Sequence, residues 1–343
     1  MKNNMHNTQK IPVVKPAVTS KKSYKDDNTT QQPNNRKPSG SKPEQNGKKS
    51  FKQKCISLLL IIAIILLTVS VGALAIFSRV NYEPVQKGIT INTDNITHNI
   101  YNVLLIGADK EENGGSRSDS MILITINKNT NKIKMTSFMR DLWVEIPDHS
   151  DGRLNAAYSI GGAGLLMETI EHNFDIQIDD YVLVDFEMFK ELIDELGGIT
   201  VEITEKEAQF INRTTKATVS VGENTLNGSE ALIYCRIRKL DSDFMRTQRQ
   251  RKVMSAIINK IKSQNVIKTA SAGISILPLI TTDISGFKML TKSFSLISAI
   301  SYDVEQLRIP ANNTYKNKTI NSQAVLVADL EENIEGLHNF IYN

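Results

Sequence analysis

Cysteine is nearly absent: the 343 residues contain two, Cys55 and Cys235. One stands at the start of an apolar run and the other in an apolar segment far downstream. Neither belongs to a Cys-x-x-Cys or Cys/His cluster, so nothing suggests a disulfide framework or a zinc site. A broad basic surface is also missing. The formal net charge is +4, yet residues 1–54 hold 13 Lys/Arg against 3 Asp/Glu and the remainder holds 28 against 34. The main domain is therefore mildly acidic, which argues against a nucleic-acid-binding face. Arginines that matter must be concentrated in a pocket. Residues 1–50 have almost no aromatics and are rich in Lys, Asn, Gln, Ser, Thr and Pro. Such a segment cannot bury enough apolar surface to offset its ordering entropy, so residues 1–54 are predicted to be a disordered basic tail.

No charge falls between Lys54 and Arg79, and Ile56 to Phe77 is almost wholly apolar. A buried core helix of that length would carry a polar stripe, and this one has none. At roughly 1.5 Å per residue it would reach about 33 Å, enough for a hydrocarbon core of about 30 Å. Residues 55–78 are predicted to be one transmembrane helix. Lys48, Lys49, Lys52 and Lys54 crowd its N-terminal side, against a sparse Arg79 and Lys87. The positive-inside rule puts the N-terminus in the cytoplasm and the rest outside the cell membrane. Ala73-Leu74-Ala75 offers a signal-peptide cleavage pattern. The long basic leader and apolar run exceed the usual signal core of roughly 7–15 residues, so an uncleaved single-pass anchor is the reading. Residues 79–97 follow as an extracytoplasmic tether, and 98–343 as the main domain.

Three strand patterns open that domain: Tyr101–Ile106, Met121–Ile126 and Ile133–Phe138. The polar loop from Asn127 to Asn131 reads as a hairpin connection. If the three strands are antiparallel neighbours, the end of the first, the start of the second and the end of the third share one sheet edge. Asp109, Arg117, Asp119 and Arg140 occupy those places. Helical patterns follow from Asn155 to His172, interrupted by glycines, and from Phe186 to Leu196, with Gly197 as a left-handed cap. Ile199–Ile203 and Ala231–Ile237 read as strands. Asp243 is expected to cap a helix from Phe244 to about Lys262, with Val253, Met254, Ile257, Ile258 and Ile261 as its buried stripe. Strands interleaved with helices indicate an α/β layered domain.

Asp109 and Asp119 are candidate magnesium ligands, because Mg²⁺ is usually held by one or two carboxylates plus substrate phosphates. Either alone would read as an ordinary turn or strand-start aspartate. Arg236 and Arg238, two apart, are expected on one face of the predicted strand. Arginine binds phosphate oxygens bidentately, which lysine does not. Arg246 and Gln250 lie four apart near a helix start, where the dipole favours anions. The bland alternative for that helix is a solvated basic start, with Arg249 and Arg251 as companions.

The ordered segments V-L-L-I-G-A-D, R-S-D-S, S-F-M-R-D, L-N-A-A-Y-S-I-G-G, V-D-F, L-N-G-S-E-A-L and R-I-R-K-L-D-S-D-F-M-R-T-Q-R-Q resemble the LytR–CpsA–Psr family of Gram-positive cell-wall proteins. The resemblance runs from about Tyr101 to Ile261. It implies an extracytoplasmic transferase that moves a glycopolymer, wall teichoic acid or capsular polysaccharide, from a polyprenyl-pyrophosphate carrier to peptidoglycan through a phosphodiester. It implies an α/β/α sandwich around a mixed sheet, with a hydrophobic pocket for the polyprenyl tail. By motif, Asp109 and Asp119 match magnesium ligands, and Arg117, Arg140, Arg236, Arg238 and Gln250 match pyrophosphate-binding residues. Asp243 and Arg246 match positions of the same pocket, with Arg140, Asp243 and Arg246 as the candidate catalytic set. Two departures are visible: Ala108 replaces the usual hydroxyl residue, and Met139 replaces the usual proline, each expected to loosen its neighbour. The rival readings are a pyrophosphatase using water as acceptor and a non-enzymatic lipid-phosphate sensor.

Overall fold

The computed structural model describes residues 62–64, 71–85, 99–108 and 118–343. All of them belong to one compact unit, Leu60–Asn343. The expected tail, Asp109 and Arg117 lie outside the described residues, as does most of the expected anchor. Within that apolar run, residues 62–64 and 71–77 (α1) are helical. Among the described residues no helix is long and apolar enough to cross a membrane.

A hairpin meander positions everything that follows. β2 (Ile100–Ala108) pairs antiparallel with β3 (Ser118–Asn127), and β3 pairs antiparallel with β4 (Lys132–Phe138). The β3–β4 connection is set by turn chemistry: the Asn127 side chain accepts from the backbone N–H groups of Asn129 (2.9 Å) and Thr130 (3.1 Å). Asn131 then takes the left-handed conformation that Asn tolerates (φ 54°). Around the meander grows a seven-stranded mixed sheet of order β1-β10-β7-β2-β3-β4-β11. The added strands are β1 (Asn81–Tyr82), β7 (Asp180–Val184), β10 (Thr281–Thr282) and β11 (Asp303–Ile309). β7 runs parallel to β2, and β11 parallel to β4. Part of the expected tether thus forms the edge strand β1.

Alternation along β2 divides its side chains between two layers. Ile100, Leu104 and Ile106 join one core with Leu154, Leu166, Ile170 and Phe174 of α2 (Leu154–Phe174) and Leu337 and Ile341 of α9 (Leu330–Tyr342). On the opposite face, Tyr101 and Ile126 pack with Ala299 of α8 (Gly286–Ala299). Helices therefore cover both faces of a central mixed sheet, as expected. A second core gathers residues of α3 (Phe186–Glu195), β8 (Ile199–Ile203), α4 (Glu205–Thr215), β9 (Gly222–Leu226), α5 (Gly228–Arg236), α6 (Asp243–Ser263) and α7 (Val266–Ile276). The expected interruption of α2 is present: Gly161 (φ −134°, ψ 20°) and Gly162 (φ 66°, ψ −155°) leave helical geometry. Gly197 is left-handed (φ 75°) just beyond α3, also as expected.

One expected strand is absent. Ala231–Ile237 is not a strand: residues 231–236 belong to α5, and Ile237 is the residue that ends it. Asn227 accepts from the Glu230 N–H at 3.0 Å, and Glu230 reaches back to the Asn227 N–H at 3.0 Å. This reciprocal cap fixes a helix start that outweighs the apolar, β-like composition of the following residues. Arg236 is consequently the last residue of a helix and Arg238 lies beyond its end, so the two do not share a strand face.

Candidate active site

The meander brings Asp119, at the start of β3, beside Arg140, just past the end of β4. The predicted common edge is therefore real for these two residues. Arg140 donates from Nη1 to Asp119 Oδ1 at 2.7 Å. The backbone at Arg140 is pinned from both sides. Its carbonyl accepts from Asn155 N–H at 3.2 Å, and the carbonyl of Asp141 accepts from Leu326 N–H at 2.8 Å. Met139 N–H donates to the Ile309 carbonyl at 2.9 Å, continuing the β4–β11 pairing.

Helices of the second core and the connection between α5 and α6 supply the remaining cations. Arg238 donates from Nη2 to Asp119 Oδ2 at 2.9 Å. Arg246 is 3% exposed. It donates from Nη2 to the Asp119 carbonyl at 3.2 Å and pairs with Asp243 at 2.9 Å. Asp243 Oδ1 also lies 3.8 Å from Arg140 Nε. Asp243 does not cap α6. Ser242 holds the cap position, and Asp243, as the first helical residue, turns to Arg246. Gln250, one turn after Arg246, accepts from Ser120 Oγ at 3.3 Å. The Arg236 guanidinium stacks over the Phe186 ring at 4.4 Å.

Asp119 is thus surrounded by three guanidinium groups. Burial opposes its ionisation, but the hydrogen bond from Arg140 and the charges of Arg238, Arg140 and Arg246 outweigh burial and hold the carboxyl below its ordinary value. Arg246 moves the other way. Burial, joined by the charges of Arg140 and Arg238, lowers its pKa despite the attraction of Asp243. The Nε groups of Arg140 and Arg246 are buried and make no hydrogen bond. A cluster with buried donors to spare and more cations than carboxylates is arranged for an anion.

Behind this charged mouth lies a cavity of about 240 Å³. Its inner wall is apolar: Leu105 and Ile122 from the sheet, Val184, Phe186 and Phe189 around the start of α3, and Leu232, Val253 and Met254 from α5 and α6. Asp119, Arg236, Arg238, Arg246 and Gln250 also line it. Five of the nine predicted site residues therefore meet at one cavity, and Arg140 and Asp243 join them through Asp119 and Arg246. Asp109 and Arg117 lie outside the described residues.

Residues 77–338 match the LytR_cpsA_psr family. The chain belongs to that family. The "polyisoprenyl-teichoic acid–peptidoglycan teichoic acid transferase TagT" of Bacillus subtilis (strain 168) is 36% identical over 222 residues, covering 60% of this chain and 69% of the relative. The similarly named TagU of Bacillus licheniformis is 38% identical over 178 residues, 51% of this chain. That match spans only 56% of the relative's length. Among solved structures, the LytR-CPS2A-psr family protein YwtF (TagT) "with bound octaprenyl pyrophosphate lipid" superposes with a TM-score of 0.58 at 28% identity. It covers 76% of this chain and 98% of that one.

Sequence reasoning missed several parts of this LytR–CpsA–Psr site. Phe186 and Phe189 read only as a helix stripe, yet they form a wall of the cavity. Ser120 stood in the R-S-D-S segment without a role and proves to be the partner of Gln250. Arg249 was grouped with solvated helix-start charges. It is instead buried, donating to Glu207 at 2.8 Å and to the Ile237 carbonyl at 2.9 Å, and pairing with Asp241. Met139, expected to loosen Arg140, is buried and its sulfur accepts from the Thr247 hydroxyl at 3.4 Å. Ala108 is also buried, at a register shift between β2 and β3.

Proposed function

We propose that this protein is a membrane-anchored phosphotransferase that moves a glycopolymer from a polyprenyl-pyrophosphate carrier to peptidoglycan through a phosphodiester. One observation carries the reading: an apolar cavity opens onto a cluster of arginines whose buried Nε donors make no hydrogen bond. A polyprenyl chain suits the cavity and a diphosphate suits the mouth. The relatives' names and the lipid held by YwtF (TagT) support it. The anchor is the apolar run ending at Phe77, and the site faces outward from the cell membrane. Wall teichoic acid or capsular polysaccharide is the polymer class.

In this reading a peptidoglycan sugar hydroxyl attacks the phosphorus that bears the glycopolymer, and polyprenyl phosphate leaves. The enzyme's task is positioning and charge stabilisation. Arg140, Arg246, Arg238, Arg236 and Gln250, together with Arg117, hold the pyrophosphate oxygens. Arg140 stabilises the charge that develops as the P–O bond breaks. Asp243 orients Arg246 and Arg140, and is the carboxylate placed to receive the hydroxyl proton. Asp119, half exposed and kept ionised by its neighbours, has the hard oxygen donors that Mg²⁺ requires, and Asp109 would share it. When bound, the metal would neutralise charge on the pyrophosphate oxygens.

The test uses the full chain in detergent with lipid-linked donor, Mg²⁺ and peptidoglycan. Polymer covalently attached to peptidoglycan is the expected product. Free phosphorylated polymer instead would identify water as the acceptor, and binding without turnover would identify a sensor.

A further inference from the structure

The two flanks of α6 carry different chemistry. Arg246, Gln250, Val253 and Met254 line the cavity. Phe244, Arg251 and Ser255 project from the other flank toward the edge strand β11. Arg251 donates from Nε to Gln306 Oε1 at 3.2 Å, and Gln306 donates to Ser255 Oγ at 2.8 Å. Arg308, two residues along β11, stacks on Phe244 at 4.3 Å, and Phe244 packs on Tyr315 at 5.3 Å.

The contact between α6 and β11 holds two cations and no carboxylate partner for either among the described residues. Arg308 donates only to neutral acceptors, the Pro310 carbonyl at 3.0 Å and Asn312 Oδ1 at 2.6 Å. Arg251 Nη1 is buried and has no partner. So is the hydroxyl of Ser137, which sits opposite Arg308 in the β4–β11 register. Burial, together with the charge of Arg308, lowers the pKa of Arg251. Two like charges facing each other beside orphaned donors form a site that lacks its anion.

The position of this contact names the occupant. Phe244 follows Asp243 directly, and Arg308 precedes Ile309, whose carbonyl binds the residue before Arg140. Arg308 and Phe244 therefore lie beside the charged cluster, on the flank of α6 away from the apolar cavity. A carrier lipid filling the cavity would leave its polymer to run along this flank.

We propose that Arg251 and Arg308, with Ser137, form a second oxyanion subsite that takes a phosphodiester of the glycopolymer chain, beyond the pyrophosphate. The subsite deepens the transferase reading and rests on it for the identity of the polymer.

The test is calorimetric titration of the full chain in detergent with a glycerol-phosphate trimer, and separately with an uncharged glycan trimer. Neither probe contains lipid or pyrophosphate, so the result stands even if the transfer assay fails. The charged trimer should bind and the neutral one should not. Arg251→Gln/Arg308→Gln should weaken the charged trimer at least tenfold without lowering the melting temperature, because it also removes a repulsion. Arg140→Ala should leave this binding within twofold. Equal affinity in wild type and the double variant would overturn the proposal, as would loss of binding only in Arg140→Ala. Displacement of the trimer by equimolar inorganic phosphate would show a free-phosphate site and overturn the assignment to the polymer.

Discussion

Arg246 donates to the backbone carbonyl of Asp119 at 3.2 Å while its own side chain is almost wholly buried. This bond ties the first turn of α6 to the first residues of β3. It fixes the distance between the helix that carries Gln250 and the strand edge that carries the central carboxylate. Because it uses a main-chain acceptor, it survives any change in the ionisation of Asp119.

Replacing Arg140 by Ala should lower transfer by about 10²–10³-fold, the range for losing one preorganised donor to developing charge. Arg238 and Arg246 remain beside Asp119 when Arg140 is lost, so the stability cost should stay at about 1 kcal/mol. Initial rates with purified lipid-linked donor, alongside denaturant melts, separate the two effects. Unchanged turnover would remove Arg140 from the chemistry.

Asp119 predicts a pH dependence. Its folded pKa lies below its ordinary value of 3.8. Its contribution to stability is therefore complete above about pH 4 and disappears as pH falls through the lower, folded value. Since the carboxylate is 45% exposed, solvent screening limits that contribution to roughly 0.5–1 kcal/mol. Urea titrations of wild type and Asp119→Asn should differ at pH 7 and converge as the pH drops toward 3. A gap that stays constant with pH would contradict the electrostatic account.

Arg249 and Arg246 are one turn apart, yet they should fail in different ways. Arg249→Met would leave Glu207 buried without its cation, a loss of about 3–5 kcal/mol. The double variant Arg249→Met/Glu207→Leu should recover part of that, because it removes the buried unpaired charge but also the Glu207 cap on the Thr204 N–H at the start of α4. Thermal melts of the single and double variants check this. A double variant no more stable than Arg249→Met would refute it.

Gly228→Ala should disturb the cavity from a distance. A Cβ there would lie 2.3 Å from the Lys190 carbonyl oxygen and 2.6 Å from its Cα. α5 and α3 would have to separate, at a cost of about 1–3 kcal/mol. Arg236 and Phe186, on those two helices, would part. The expected readout is a lower melting temperature together with a raised KM for the lipid donor.

The meander was legible because its strands are short apolar runs, two of them joined by an Asn-rich turn. That placed Asp119 and Arg140 together before any coordinates. α5 was not legible from composition: Leu232, Ile233, Tyr234 and Cys235 suit a strand as well as a helix. The Asn227…Glu230 spacing was the available signal, and it is a local capping pattern rather than a periodicity. Arg249 and Arg251 escaped for another reason. A run of basic residues looks uniform in sequence, and only the packing of α4 and β11 against α6 gives each arginine its own surroundings.

The site straddles two hydrophobic cores: Asp119 and Arg140 are carried by the sheet of the first, and Arg236, Arg238 and Arg246 by α5, α6 and the connection between them on the second. A substrate held by both sides works as a clasp. Every increment of its binding free energy also resists prying the two halves apart. Loading with donor and hardening against heat or protease are, for this molecule, the same event.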